Sequence, residues 1–355
     1  MSNLASRIVM VNDKIYGPSF GQRIESELKC LGPGTHIFTY IYSRNNRNKN
    51  LQGTKMNGLY PFGMSGWGLN TRFQHQIYRK YEDRIKDLSK DKLIHFTSQQ
   101  IIPTPVQHPT VTVHDLIPLQ YPEEVKKMVV KLTSRNIEYY KKLPIVCTVS
   151  DYVKKTMEEY GFTGEISVVP NTVSSGFHQV DTSKEEIRKK FNLPLDKKLV
   201  LSISADYPRK NLRVVSETMK KLGPEYKLVR VGPGLENSLT FQNIEENVLN
   251  LLYNACDVLL FPSQSEGFGL PILEAFSSGL PVVASNIEVF KEVSGSAAIL
   301  CNPDPTDCSL SVNEAINNAD SLKKKGFEQA KEFSMEKFCS SIKQFYNRAF
   351  EIYGL

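Results

Sequence analysis

Short apolar runs alternate with longer amphipathic segments along most of this chain. That alternation confines it to βαβ architecture with parallel sheets, since each buried strand needs a crossover that covers its face. In the first half the predicted strands are 7–11, 36–42, 93–96, 110–113 and 145–149, and the predicted helices include 22–30, 71–88 and 151–160, the last capped by Ser150. A second series follows, with strands at 198–203, 226–231, 257–261 and 280–284 and a helix over 211–222. A chain of 355 residues exceeds what one core usually organises. The expected fold is therefore α/β, with two Rossmann-like doubly wound domains, 1–175 and 196–334. Their boundary is expected between Pro170 and Lys197, in a stretch rich in Ser, Thr, Asn and charge. Residues 335–353 have helical periodicity, with aromatics at Phe338, Phe345 and Tyr346, and the C-terminal segment 335–355 is expected to pack back on the first domain. The segment 44–68, with its Asn-rich start and several glycines, reads as a long mobile loop.

Composition narrows the function classes. A net charge of +6 fits an anionic substrate or an acidic membrane surface and is too small and scattered for nucleic-acid binding. The N-terminus lacks a secretory h-region, and no apolar run approaches the roughly 18 residues of a membrane span, so a cytoplasmic protein is expected. The six cysteines, at 30, 147, 256, 301, 308 and 339, form no CxxC pair. They read mostly as reduced core thiols, without metal-site spacing or a disulfide framework.

Four segments carry chemistry. The first is Ser265-Glu-Gly-Phe-Gly-Leu-Pro-Ile-Leu-Glu274, after a buried strand. Its glycines allow close backbone approach, Pro271 suits a helix start, and free amides there suit a diphosphate. Glu266 and Glu274 are acceptor-only carboxylates, fit to hold vicinal hydroxyls. As a loop acid and a helix-dipole partner they have an equally good plain reading, and the pattern alone leaves both open. The second is Asp206-Tyr-Pro-Arg-Lys-Asn211, in which Arg209 and Lys210 stand at a strand-to-helix turn and suit a diphosphate. The third is Val113-His-Asp-Leu-Ile-Pro-Leu119, where His114 alone would be an ordinary strand-end histidine and Asp115 reads as structural. The fourth, Tyr16-Gly-Pro-Ser-Phe-Gly21, brings Gly17 and Gly21 near the end of the first strand without meeting the G-x-G-x-x-G pattern.

The stretch Glu266 to Glu274 resembles the E-x7-E signature of the retaining glycosyltransferases of family four, which have the GT-B fold. Its flanks are similar too: Tyr253-Asn-Ala-Cys-Asp-Val-Leu-Leu-Phe-Pro-Ser263 before it and Ala275-Phe-Ser-Ser-Gly-Leu-Pro-Val-Val-Ala-Ser-Asn286 after it. So is Asn302-Pro303. The heptapeptide at His114 is similar to the segment found in mannosyltransferase-like members. The resemblance implies two domains facing across a cleft and closing over the donor. It implies that Glu266 holds the donor sugar's hydroxyls and Glu274 the ribose, while amides around Phe268, Gly269 and Leu270 line the sugar and phosphates. Arg209 and Lys210 would neutralise the departing diphosphate, and His114 would hydrogen-bond the sugar or position the acceptor. Gly17 and Gly21 stand where the family has a Gly-Gly-Ile-Gly loop, from which this chain departs.

The implied reaction is retaining hexosyl transfer without a protein nucleophile. No cofactor or metal is expected, since no DxD motif occurs. The implied partners are a nucleotide-sugar donor, GDP-mannose before a UDP-hexose, and a glycan or lipid-linked acceptor. Lys126, Lys127, Lys131, Arg135, Lys141 and Lys142 form a basic segment. A solvated face is its plainer reading, and peripheral docking on anionic membrane the other. A sugar-nucleotide epimerase and a catalytically silent binding protein are the alternatives from other classes.

Overall fold

The computed structural model describes residues 4–12, 20–32, 35–39, 55–58, 83, 85–101 and 103–355. The chain divides into two compact units, Met1–Pro170 with Met335–Leu355, and Asn171–Ser334.

The first unit is built on a seven-stranded sheet: β1 (Ile8–Asn12), β2 (His36–Thr39), β3 (Lys55–Gly58), β4 (Leu93–Phe96), β5 (Pro109–Val113), β6 (Ile145–Thr148) and β7 (Glu165–Val168). The order is β3-β2-β1-β4-β5-β6-β7, and every pair is parallel. β4, β5 and β6 are buried at every position, as apolar runs in a parallel sheet require. Its helices are α1 (Phe20–Leu31), α2 (Ile117–Gln120), α3 (Lys127–Tyr140) and α4 (Asp151–Glu159). The Ser150 hydroxyl accepts from the Val153 amide at 3.1 Å and so caps α4.

The C-terminal helix, Met335–Tyr353, buries Phe338, Ile342, Phe345, Tyr346, Ala349 and Phe350 at helical spacing. They pack in one core with Ile24, Leu28 and Leu31 of α1 and Ile8 and Met10 of β1. Each large apolar side chain so buried contributes about 1.5–3 kcal/mol, which makes this helix part of the first unit's core. Inside the same core Arg23 Nε donates to Glu27 Oε1 at 3.0 Å and Nη1 to the Val169 carbonyl at 2.8 Å. The Tyr346 hydroxyl donates to Glu27 Oε2 at 3.3 Å, so the buried charges are paired and hydrogen-bonded.

Two expectations change here. β3 lies inside 44–68, so that stretch is not one loop; the rest of it, like most of the predicted helix 71–88, falls outside the described residues. Cys30 and Cys339 form a disulfide, Cα to Cα 5.1 Å, because the C-terminal helix packs on α1. Spacing along the sequence carries no trace of that pairing, whereas Cys147, Cys256, Cys301 and Cys308 are free and buried. The units divide after Pro170, at the near edge of the stretch 170–197.

The second unit holds six strands: β8 (Lys198–Ile203), β9 (Tyr226–Val231), β10 (Leu239–Phe241), β11 (Val258–Phe261), β12 (Val282–Ser285) and β13 (Ile299–Cys301). Their order is β10-β9-β8-β11-β12-β13, again all parallel. Its helices are α5 (Lys184–Lys190), α6 (Leu212–Leu222), α7 (Glu246–Ala255), α8 (Leu270–Ser277), α9 (Glu288–Ser294), α10 (Pro305–Asn317) and α11 (Ala319–Glu332). A capping box, Ser183 with Glu186, starts α5. α6 buries Val214, Val215, Thr218 and Leu222, one face of a helix over the sheet. Both units are therefore doubly wound. Among the described residues no helix is long and apolar enough to cross a membrane.

Candidate active site

In the second unit the strand order reverses direction between β8 and β11. Connections leaving those two strands run opposite ways and open a crevice at their carboxyl ends, where sheets of this kind bind ligands. The turn after β8 carries Arg209 and Lys210, and the loop after β11 carries Glu266. Parallel pairing of Val258 with Val200 and Leu259 with Leu201 brings these distant segments together. Lys210 Nζ donates to Glu266 Oε1, with each side chain 13% exposed. Two further bonds lock the loops: the Gln264 amide donates to the Arg209 carbonyl at 2.7 Å, and Asn211 Nδ2 to the Pro262 carbonyl at 3.1 Å. Asn211 does so at φ 57°, the left-handed region that asparagine tolerates. The Arg209 guanidinium lies 4.7 Å from the Tyr207 ring centroid.

The loop then enters α8. Gly269 has φ +108°, and a Cβ there would lie 2.9 Å from Phe290 Cε1, so only glycine permits this approach. Phe268 is buried and meets the Phe333 ring edge-on at 5.6 Å. Phe268, Gly269 and Leu270 consequently offer backbone rather than side chains. Pro271 has no N–H and the Ile272 amide donates to the Gly269 carbonyl at 3.0 Å, which leaves the Leu270 amide at the positive end of the α8 dipole, a setting for an anion.

Glu274 stands one turn into α8 and is 8% exposed. The Tyr253 hydroxyl, from α7, donates to Glu274 Oε2 at 2.7 Å. Burial raises the Glu274 carboxyl to about 7, Glu246 pushes the same way, and the Tyr253 bond opposes them. The folded value lies above the unfolded one, so this group's contribution to stability is full below about 4.5 and is lost as pH rises through about 7. Should Glu274 accept from ribose hydroxyls, as the resemblance implies, its ionised form is the stronger acceptor, and the ionised share rises from about a tenth at pH 6 to about nine tenths at pH 8. GDP should bind up to about tenfold more tightly at pH 8 than at pH 6 on this account. Calorimetry on the wild type and Glu274→Gln checks it, since the phosphates titrate in both. Equal pH dependence in the two would remove Glu274 from ribose binding. In the sequence Tyr253 is only part of a flank; an aromatic in an amphipathic helix reads as core, and its hydroxyl's partner emerges only when α7 packs beside α8.

In the first unit His114 follows β5 and is 8% exposed. Its Nε2 lies 2.8 Å from the Thr97 carbonyl, which can only accept, so Nε2 carries the proton. Burial, with Arg23 adding, pushes the imidazole down to about 3. His114 is thus a neutral hydrogen-bonding group, not an acid or a cation. A second residue absent from the sequence reading holds it: Gln99 Oε1 accepts from the His114 amide at 3.1 Å, and Gln99 Nε2 donates to the Asp115 carbonyl at 2.8 Å. Asp115 Oδ1 accepts from the Ile117 amide at 3.1 Å and starts α2, the structural role expected of it. Gly17 lies outside the described residues, and Gly21 is the second residue of α1.

Residues 183–333, nearly all of the second unit, match the family model described as glycosyl transferases group 1. The second unit is thus similar to the group 1 glycosyl transferases. It is 30% identical over 249 residues to the O-antigen chain mannosyltransferase RfbU of Salmonella typhimurium, covering 64% of this chain and 64% of that relative. It is 28% identical over 264 residues to O-antigen chain mannosyltransferase B of Escherichia coli, covering 66% of this chain and 69% of the relative. Among solved structures, Anabaena HepE in complex with UDP and glucose superposes with TM-score 0.77 at 14% identity, over 96% of this chain and 99% of that one. Sucrose-phosphate synthase from Thermosynechococcus elongatus gives 0.75 at 17% identity, over 97% and 99%. At such identities the likeness is one of fold. The chain shares the GT-B fold of these structures, with one Rossmann-like sheet in each unit.

Proposed function

We propose that this chain is a retaining glycosyltransferase, moving a hexose from a nucleoside diphosphate sugar to a glycan or lipid-linked acceptor. The observation that carries the reading is the meeting of Lys210 and Glu266 at the switch between β8 and β11, beside the start of α8. A diphosphate there would lie among Arg209, Lys210 and the amides of Phe268, Gly269 and Leu270, whose positive charge stabilises the leaving group as it departs. Glu266 would hold sugar hydroxyls and Glu274 the ribose. The bond from the anomeric carbon to phosphate breaks with its electron pair going to phosphate. The acceptor oxygen bonds the same face, and its proton passes to a phosphate oxygen. No side chain need act as nucleophile or as acid.

Mannose is the favoured sugar and GDP-mannose the favoured donor, supported by the mannosyltransferase names of two relatives and by the segment at His114. A lipid-linked acceptor at the cytoplasmic face of a membrane would suit α3, where Lys127, Lys131 and Arg135, with Lys126 just before the helix, are exposed beside Met128, itself 58% exposed. Binding to the folded state alone raises stability by about 2.7 kcal/mol at a hundred times Kd, several degrees in Tm. In a thermal-shift comparison GDP-mannose should give the largest rise, ahead of UDP-glucose and ADP-glucose. A rise with UDP-glucose alone would transfer the reading to a UDP-hexose enzyme, and no rise with any of them would overturn donor binding.

A further inference from the structure

β9 ends in a buried cation to which the donor-site reading gives no task. Arg230 is fully buried. Its Nη1 donates to the carbonyls of Ser202 at 3.0 Å and Val231 at 2.7 Å, and its Nη2 to the Ser204 hydroxyl at 3.0 Å and the Ser204 carbonyl. We propose that Arg230 is a positioning residue of the donor site, fixing the turn after β8 so that Arg209 and Lys210 meet the diphosphate; this rests on the reading of the site given above.

Cohesion of the sheet does not require a guanidinium here. β8 and β9 already pair from Lys198 with Tyr226 to Ile203 with Val231. Valine on either side of Arg230 shows what an ordinary buried strand position carries. Among the described residues no carboxylate hydrogen-bonds it, and Asp206 acts on it only through its field. A cation in such a place is costly unless its hydrogen bonds secure something.

What they secure is the near end of the turn. Ala205, Asp206, Tyr207 and Pro208 are exposed and bury no side chain that could hold them. Ser204 is gripped from two sides, by Arg230 and by the Ser204 amide's bond to the Val231 carbonyl at 3.2 Å. Gly232, at φ +127°, completes the seat: a Cβ there would lie 2.2 Å from the Ser204 carbonyl oxygen. The far end is tied through the Arg209 carbonyl to the Gln264 amide and through Asn211 to Pro262. The turn is therefore strung between β9 and the loop after β11, with its two cations at the second anchor. Loosening the first anchor lets Arg209 and Lys210 drift while the sheet stays paired.

The test compares GDP with GMP, because a misplaced turn affects the diphosphate and spares the nucleoside. In wild type GDP should bind more tightly than GMP. Arg230→Met should cut that preference by about tenfold, as displacements from outside the reacting centre do. Arg230→Lys should restore part of it, and Gly232→Ala should reproduce the loss from the other side of Ser204. GMP affinity of each soluble variant should stay near wild type, with an unfolding midpoint lowered by the lost hydrogen bonds or the added backbone strain. Lys210→Ala serves as the control on the site itself: if it keeps the GDP preference, the diphosphate is elsewhere and the donor-site reading fails. If Lys210→Ala loses the preference while Arg230→Met, or Arg230→Lys and Gly232→Ala should the methionine variant not fold, retain it, Arg230 is a structural residue only.

Discussion

Glu266→Ala should lower sugar transfer by about a thousandfold or more, about 4 kcal/mol of transition-state stabilisation, in a protein that still folds. Glu266 pairs with Lys210, one of the cations assigned to the leaving group, and its second oxygen remains available when Lys210 holds the first. Hydroxyls of a sugar acquiring oxocarbenium character become stronger donors, so their bonds to a fixed carboxylate tighten as the reaction proceeds. Stability should fall by about 1–3 kcal/mol, between the values for exposed and buried pairs, because Lys210 loses its partner. GDP supplies a replacement anion for that lysine. The rise in Tm caused by GDP should therefore be at least as large in Glu266→Ala as in wild type. Transfer unchanged in the variant would dismiss Glu266 from the site. A Tm no longer raised by GDP would instead make it part of the diphosphate seat.

How much of this was legible in the sequence follows from what each contact depends on. Residues 258–261 read as a strand because a parallel strand covered on both faces is an unbroken apolar run. β3 and β10 escaped that reading, being short edge strands: Lys55-Met-Asn-Gly58 carries a single large apolar residue. The carboxylates at 266 and 274 and the cations at 209 and 210 were visible as residue types in telling places. Their spatial relation was not, since Lys210 reaches Glu266 only through the order in which β8 and β11 pair. The hydroxyl of Tyr253 and the amide of Gln99 serve partners on other elements, and nothing local marks either. Arg230 misleads in the same way: an arginine between valines in a strand reads as the solvent-facing member of an alternation, yet the crossovers bury both faces. The Cys30 to Cys339 bridge needs the C-terminal helix to return to α1, a tertiary fact.

Lys210→Ala should weaken GDP binding by about ten- to a hundredfold and transfer by about a hundred- to a thousandfold. Both effects come from one charge. The ammonium meets the diphosphate in the ground state, and meets it more strongly when the bond to the anomeric carbon breaks and negative charge accumulates on phosphate. Its loss also strands Glu266, a carboxylate only 13% exposed, now without its counter-ion beside the place where phosphate must sit. Repulsion between that carboxylate and the incoming diphosphate adds to the missing attraction. The double variant Lys210→Ala with Glu266→Ala should accordingly bind GDP better than Lys210→Ala alone, while staying as poor in transfer as Glu266→Ala. A structural ion pair with no part in donor binding gives a different pattern: either single variant would shift stability, and neither would change GDP affinity relative to GMP. Isothermal titration with the two nucleotides across the three variants separates these outcomes. Equal GDP affinity in wild type and Lys210→Ala would remove the diphosphate from the turn after β8, and the case for transfer through this crevice with it.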